Sequence, residues 1–281
     1  MNAATIEKAR RIEQRHGTSY YLATLFLEKR LREAVFVLYA FVRIPDEIVD
    51  NPPPGANPTA LLTAWKNDWI LCYDTGESTD DILRATREMF LTYHIPFSLS
   101  IEFIDAMITD LTVTRYEDYA ALRRYMRGSA LVVGVMLTYI FGFKNEHAFP
   151  HAEALGEAMQ LTNFLRDVRE DYDERGRIYL PQDLMATQGV TETMIAHHAA
   201  TPEFTALMKE LIAIARRRYR DAEPGIALLH PSARRAVTLA ARFYEAILDE
   251  IEAAHCDVFA RRVRTSRWRK FVIMVKTYVF N

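Results

Sequence analysis

The 281-residue chain has only two cysteines, Cys72 and Cys256, and they lie far apart. That usage excludes a disulfide framework and a cysteine zinc site, and it points to a reducing compartment. Glycine (10) and proline (11) are sparse. No Gly/Ser-rich linker, low-complexity segment or repeat divides the chain, so a single domain over 1–281 is expected, with 263–281 a basic and apolar C-terminal segment. There is no charge excess: the formal net charge is −2, and nothing global suggests a nucleic-acid partner. No hydrophobic run is long enough to span a bilayer. Ser129 to Phe143 is apolar over about 15 residues, against the roughly 20 that a spanning helix needs. The N-terminal stretch MNAATIEKARRIEQRHG has no apolar core and does not read as a signal peptide, so a cytoplasmic location is expected. A GxGxxG nucleotide fingerprint is missing as well. What is abundant is apolar surface, half of all residues, enough for one large core.

Within that background one stretch stands out, QLTNFLRDVREDYDERGRIYLP at 160–181. Gln160, Asn163, Asp167 and Asp171 are spaced by three, four and four. On an α-helix this puts all four on one face. Leu161, Phe164, Leu165 and Val168 lie beside or behind them and can bury. A row of amide and carboxylate oxygens suits Mg²⁺, which takes one or two carboxylates and leaves its other positions to water and substrate phosphates. A solvated acidic face is the plain alternative. Turns are expected at Gly176 and Pro181.

A second row bears on that choice. Asp46 and Asp50, in LYAFVRIPDEIVDN, are again four apart, with Arg43 one turn before Asp46 and Tyr39 one turn before Arg43. Taken alone, Arg43 and Asp46 are a surface pair worth about 0.3–0.5 kcal/mol. The surrounding Leu38, Phe41, Val42, Ile44, Ile48 and Val49 read instead as a buried helix, and buried acids need a partner or a metal. Two acidic rows on facing helices would make one site for Mg²⁺ and a diphosphate. Asn51–Pro58 is a loop that ends this helix directly after Asp50. A helix C-terminus disfavours a carboxylate, so a cation or a base must offset Asp50.

Elsewhere, residues 3–15 read as a short amphipathic helix broken at His16–Ser19, where a hydroxyl is most simply an N-cap. Helices are expected at about 59–75, 78–93, 97–112, 202–221 and 231–257, the last two opened by prolines. Trp65 and Trp69, one turn apart, read as a core stripe. The run after Ser129 reads as a buried central helix. The C-terminal RRVRTSRWRKFVIMVKTYVFN is basic and then apolar with aromatics. It reads either as an interfacial segment or as a helix docked on the core.

The pair DEIVD and NFLRDVRED, followed by RIYLP, resembles the squalene/phytoene synthase family of head-to-head trans-prenyl transferases, from about His16 to Arg262. The second motif carries the likeness, since Gln160, Asn163, Arg166, Asp167, Asp171, Arg177, Tyr179 and Pro181 all match. The resemblance implies an all-α isoprenoid synthase fold, a helical bundle around a central apolar tunnel. It implies Mg²⁺ (or Mn²⁺) held by Asp46, Asp50, Asn163, Asp167 and Asp171, with Asp46, Asp50, Asp167 and Asp171 as the catalytic acids. Substrate contacts are expected from His16, Ser19, Tyr39, Arg43 and Tyr125. Gln160, Asn163, Arg166 and Arg177 are expected to join them, as are Tyr179, Tyr244 and Arg262. Small residues at Gly128, Ala130 and Gly134 match a family stretch that lines the prenyl tunnel, with helix–helix close packing as the rival reading.

Some positions depart from the family. Pro45 precedes the first Asp, Glu47 stands where many members have a second Asp, and Met126, Ser129 and Leu131 differ from the commonest tunnel stretch. Leu131 is expected to alter chain fit. Asp110 matches an acidic position, with a structural salt bridge as the rival role.

GRIYLPQD and the basic tail look most like the bacterial-type phytoene synthases. The expected reaction joins two geranylgeranyl diphosphates through a cyclopropylcarbinyl diphosphate and ends in proton loss. The runner-up is a farnesyl-using dehydrosqualene or squalene synthase, the latter alone needing NADPH. A non-catalytic assembly factor on the same fold, or a terpene cyclase, is less compatible with both acidic rows and RIYLP together. A peripheral membrane contact is expected for product release.

Overall fold

The structure, a computed structural model, describes residues 2–280. The chain is a succession of helices. The first half holds α1 (Ala3–His16), α2 (Thr18–Thr24), α3 (Lys29–Asp50), α4 (Pro58–Thr75), α5 (Asp81–Tyr93), α6 (Phe97–Asp110) and α7 (Tyr119–Met126). A π turn over Arg127–Leu131 leads into α8 (Val132–Phe141) and α9 (Ala148–Arg166). Then come α10 (Val168–Arg175), α11 (Gln182–Gln188), α12 (Glu192–Ala196), α13 (Pro202–Ile226), α14 (Pro231–Ala253) and α15 (Arg267–Phe280). No β-sheet forms among the described residues, only an isolated bridge between Phe143 and Leu229.

Local chemistry accounts for many of the boundaries. Asn57 accepts a hydrogen bond from the Ala60 N–H, Pro58 opens α4, and Gly76 closes it at φ 83°, a left-handed turn that favours glycine. Thr201 and Pro202 start α13 in the same way. One expectation is met and one shifts. Helix α3 runs through Pro45 and ends at Asp50, as expected, although proline removes one backbone bond there. Helix α13 extends through Pro224 to Ile226, beyond the expected end at 221.

Two apolar clusters make the core. One gathers on α9, α13 and α14 and includes Phe164, Phe204, Leu211, Phe243 and Ile251. The other gathers on α3–α6 and α8 around Phe41, Trp69, Phe90 and Ile104. Trp65 and Trp69 both lie against Phe41, with ring centroids 5.0 Å away in each case. The fully buried Trp69 donates its indole N–H to Ser100 at 2.8 Å, so the polar tip of the core tryptophan is satisfied.

The small residues of the central stretch divide between two roles. A Cβ on Gly128 would stand 2.5 Å from the Ala106 Cβ, and one on Gly134 would stand 2.7 Å from the Ala152 carbonyl oxygen. Both glycines therefore set close helix approaches, of the π turn on α6 and of α8 on α9. Only Gly134, with Ser129 and Ala130, also borders the internal cavity. Leu131 is fully buried in the core and does not border the cavity, so the expected effect on chain fit is not direct.

Helix α1 carries a buried acid. Glu13 has no exposed surface; one oxygen accepts a 2.9 Å bond from Thr24 and the other has no partner. Burial pushes its pKa up to about 7, against an ordinary 4.5. The folded state thus holds a proton that the unfolded chain releases, so the contribution of Glu13 to stability is highest below pH 4.5 and falls as pH rises toward 7. The ionised carboxylate costs on the order of 3 kcal/mol above that range. Urea unfolding across pH 4–8 should show a smaller decline for Glu13→Gln than for wild type. Equal declines in the two proteins would contradict this assignment.

Candidate active site

Between the two apolar clusters lies a cavity of about 820 Å³, and every residue expected to meet the metal or the substrate head borders it. Its inner walls are apolar, with Val133, Leu137, Phe141, Leu155, Val237 and Ile247 among them. Its mouth is charged and is built where α3, α9, α10 and the segment before α15 meet.

The first acidic row is arranged as its spacing predicts. Arg43 is ion-paired to Asp46 and lies 2.5 Å from Glu47. Glu47 thus serves Arg43 rather than the cavity, and it also stands 3.9 Å from the His16 imidazole. Asp46 opens to the cavity but is ringed by protein. Burial and the neighbouring Asp50 push its pKa up to about 7, more than Arg43 offsets. At the C-terminus of α3, Asp50 receives the counter-charge that its position requires. Arg175 lies 3.1 Å away and Arg177 3.0 Å away.

The second row differs from one continuous helix. The backbone leaves helical geometry at Asp167 (φ −104°, ψ 15°), which separates α9 from α10. Adjacent side chains on a regular helix point about 100° apart; the break lets Arg166 bond its own neighbour, at 2.8 and 2.5 Å. Arg262 clamps the same carboxylate from the other side at 2.9 and 3.0 Å and reaches Glu170 at 3.0 Å. Burial would raise the Asp167 pKa, but the two arginines outweigh it and hold the group below its ordinary value. Asp171 goes the other way. Burial and Asp167 raise it well above the usual range, with Arg175 at 3.4 Å an incomplete offset. Arg175 therefore bridges the two rows, touching both Asp50 and Asp171.

Asp110 borders the cavity and is held by two neighbours. Arg177, only 7% exposed, lies 3.3 Å from its carboxylate and donates to its carbonyl at 3.1 Å, while Tyr179 donates its hydroxyl at 3.1 Å. This fixes Tyr179 in an aromatic wall. It stacks on Phe164 at 4.0 Å and 9°, and lies 5.8 Å from both Tyr116 and Tyr125. Tyr244 meets Tyr20 edge-on at 5.4 Å, and Tyr39 lies 6.5 Å from Tyr20.

Ser19 is not the N-cap. Helix α2 begins at Thr18 with no side-chain cap, and the Ser19 hydroxyl accepts a 2.8 Å bond from Lys270 of α15. Lys270 escaped the sequence reading, as did Arg175. Both are basic residues in charged segments, and no local signal separates them from solvated neighbours.

The donor set fits a divalent cation. Asn163 borders the cavity, and its side-chain oxygen is buried without a hydrogen-bond partner. Asp171 and Asp46 are short of positive charge. Among the described residues no three acidic, histidine or cysteine groups cage an ion by themselves. Mg²⁺ does not need such a cage, because substrate phosphates complete its shell. Asp46, Asp50, Asn163, Asp167 and Asp171 are the oxygens available for it.

Residues 14–269 match the pattern described as Squalene/phytoene synthase. The chain belongs to that family. It is accordingly a prenyl transferase, with the all-α isoprenoid synthase fold. It is 34% identical to the phytoene synthase of Thermus thermophilus over 96% of this chain and 91% of the relative. It is 32% identical to the 15-cis-phytoene synthase of Synechococcus elongatus over 94% and 89%. Among solved structures, a dehydrosqualene synthase in complex with ligand superposes with a TM-score of 0.91 at 27% identity, covering 98% of this chain and 95% of that one.

Arg177 shares its charge between two acids, so replacing it should be costly. Arg177→Ala leaves Asp110 buried without its cation, and unfolding free energy should fall by about 3–5 kcal/mol. Lysine, which lacks the planar fork, should recover only part of this. Denaturant midpoints of the two variants measure both effects.

Proposed function

We propose that the protein joins two molecules of geranylgeranyl diphosphate head to head to give phytoene, a step of carotenoid biosynthesis. The observation that carries the reading is the cavity, whose charged mouth opens into an apolar interior. Its volume is near the upper end of the roughly 300–1,000 Å³ typical of small-molecule sites. A prenyl diphosphate has the same polarity, a doubly charged head on a greasy tail.

At the mouth, Arg43, Arg166 and Arg262 give charge-assisted hydrogen bonds to diphosphate oxygens, with His16, Ser19 and Gln160 beside them. Asp46, Asp50, Asn163, Asp167 and Asp171 would hold Mg²⁺. When bound, Mg²⁺ supplies Lewis acidity to the departing diphosphate. The allylic cation left behind faces Tyr125, Phe164 and Tyr179, whose ring faces attract positive charge. The apolar walls keep water away from it. Its C1 adds to the double bond of the second molecule, and loss of a proton closes a cyclopropylcarbinyl diphosphate. That species loses its own diphosphate, rearranges to the 1–1′ linkage and releases a second proton to give phytoene.

The relatives named phytoene synthase, at 34% and 32% identity, favour the forty-carbon product over the thirty-carbon one suggested by the dehydrosqualene synthase at 27%. That structural likeness keeps a farnesyl-using enzyme as the second reading, with NADPH needed only if squalene is the product. The test is a product assay with Mg²⁺ and either farnesyl or geranylgeranyl diphosphate, with and without NADPH, read by mass. A forty-carbon hydrocarbon independent of NADPH is expected. A product only from farnesyl diphosphate would replace the reading.

In the same assay Asp46→Ala and Asp167→Ala should each lower turnover by roughly 10²–10³-fold, the scale for loss of one contact to developing charge, with helical circular dichroism unchanged. Retained turnover in both variants would remove the metal assignment.

A further inference from the structure

Helix α15 has two unlike faces. Its inner face is fastened to the protein. Ile273 and Met274 pack on the core, Thr277 is buried, Arg269 lies 2.7 Å from Glu250, and Lys270 reaches Ser19 at the cavity mouth. Its outer face is largely uncovered, with Arg235 lying over the Tyr278 ring 4.6 Å from its centroid. Trp268, Phe271, Val275 and Tyr278 are 71%, 49%, 45% and 62% exposed. Their spacing of three, four and three puts them within about 80° of helix circumference. Trp268 and Phe271 stack on one another with centroids 5.6 Å apart. An exposed arc of large apolar side chains, held in place by a fastened inner face, is unusual for a surface helix.

The charge around the arc says what covers it. Residues 258–281 contain seven Arg and Lys and no Asp or Glu, in a chain whose formal net charge is −2. Arg267 and Lys276 flank the arc on its two edges, and Arg261 and Arg264 precede the helix. All four are exposed and, among the described residues, none of them is in an ion pair. An apolar, aromatic arc with bases along its edges matches an anionic bilayer. The rings enter the headgroup boundary and the bases meet lipid phosphates. A second copy of this chain would have to bring the same uncompensated charge to the interface.

We propose that the outer face of α15 is a docking surface for an anionic lipid bilayer. Arg262, Val263, Arg264, Thr265 and Lys270 border the cavity, so docking through α15 seats the cavity mouth against the lipid. Substrate tails and an uncharged product can then exchange with the bilayer without crossing water. This last consequence rests on the prenyl-diphosphate reading above; the docking itself does not.

The test uses the full chain with vesicles of phosphatidylcholine alone or mixed with phosphatidylglycerol. Trp268 reports directly, since Trp69 is fully buried and Trp65 largely so. Co-sedimentation with the anionic vesicles only, a blue-shifted tryptophan emission that Trp268→Ser abolishes, and weakening by salt are expected. Phe271→Asp/Val275→Asp and Arg267→Glu/Lys276→Glu should each lower vesicle binding by about tenfold or more. Turnover of detergent-dispersed substrate should stay within about twofold, because neither pair touches the cavity. Wild-type protein that ignores anionic vesicles, or aspartate variants that bind them as well as wild type does, would overturn the proposal. So would a wild-type dimer that the aspartate pair converts to monomer, since the arc would then be a protein interface. A protein that binds vesicles through α15 but yields no hydrocarbon leaves the surface standing and removes the reaction instead.

Discussion

Charge compensation inside a cavity is the constraint on which the rest of the structure depends. The four aspartates of the two rows lie at the mouth, and an ionised carboxylate is costly away from water unless a positive charge meets it. Asp167 is met twice, by Arg166 and Arg262. Asp50 is also met twice, by Arg175 and Arg177. Asp46 and Asp171 are met incompletely, and their pKa values rise accordingly. The unevenness is chemically useful. The well-paired acids are held in position at the site, and the under-paired ones, with the unpartnered Asn163 oxygen, are where a cation is most wanted.

The helices are shaped to satisfy this pattern. The break at Asp167 gives up regular geometry in the middle of what would be one long helix, and in return Arg166 and Arg262 both reach one carboxylate. Arg177 sits just past the left-handed turn at Gly176 and ties the ends of α3 and α6 together through Asp50 and Asp110. Through Asp110 the same network holds the Tyr179 hydroxyl, so the aromatic wall and the charged mouth share one support. A change at the charged end therefore disturbs the apolar end, although no apolar residue is touched.

Much of this was legible in the chain. Three, four and four between Gln160, Asn163, Asp167 and Asp171 reports a shared face, and the structure keeps that face despite the break. Helix ends marked by Asn57–Pro58, Gly76 and Thr201–Pro202 lie where capping chemistry puts them. Other features were not legible. Ser19 in a sequence is an N-cap as readily as a partner for a distant lysine. Gly128 and Gly134 look alike in the chain, yet only Gly134 borders the cavity. Asp110 gives no local sign of its partners Arg177 and Tyr179, which lie 67 and 69 positions along the chain.

By itself the sequence determined that the protein is all-helical, which residues share a face of each helix, and where two oxygen-rich rows interrupt apolar surface. Those are local properties, because helical periodicity and capping depend on neighbours within a few residues. Only the tertiary structure decided which faces meet: that Arg175 bridges Asp50 and Asp171, that Lys270 reaches Ser19 across 251 positions of chain, and that the far side of α15 is left largely uncovered. Long-range pairings of this kind follow from how helices pack, and a helix carries no record of its partner in its own spacing.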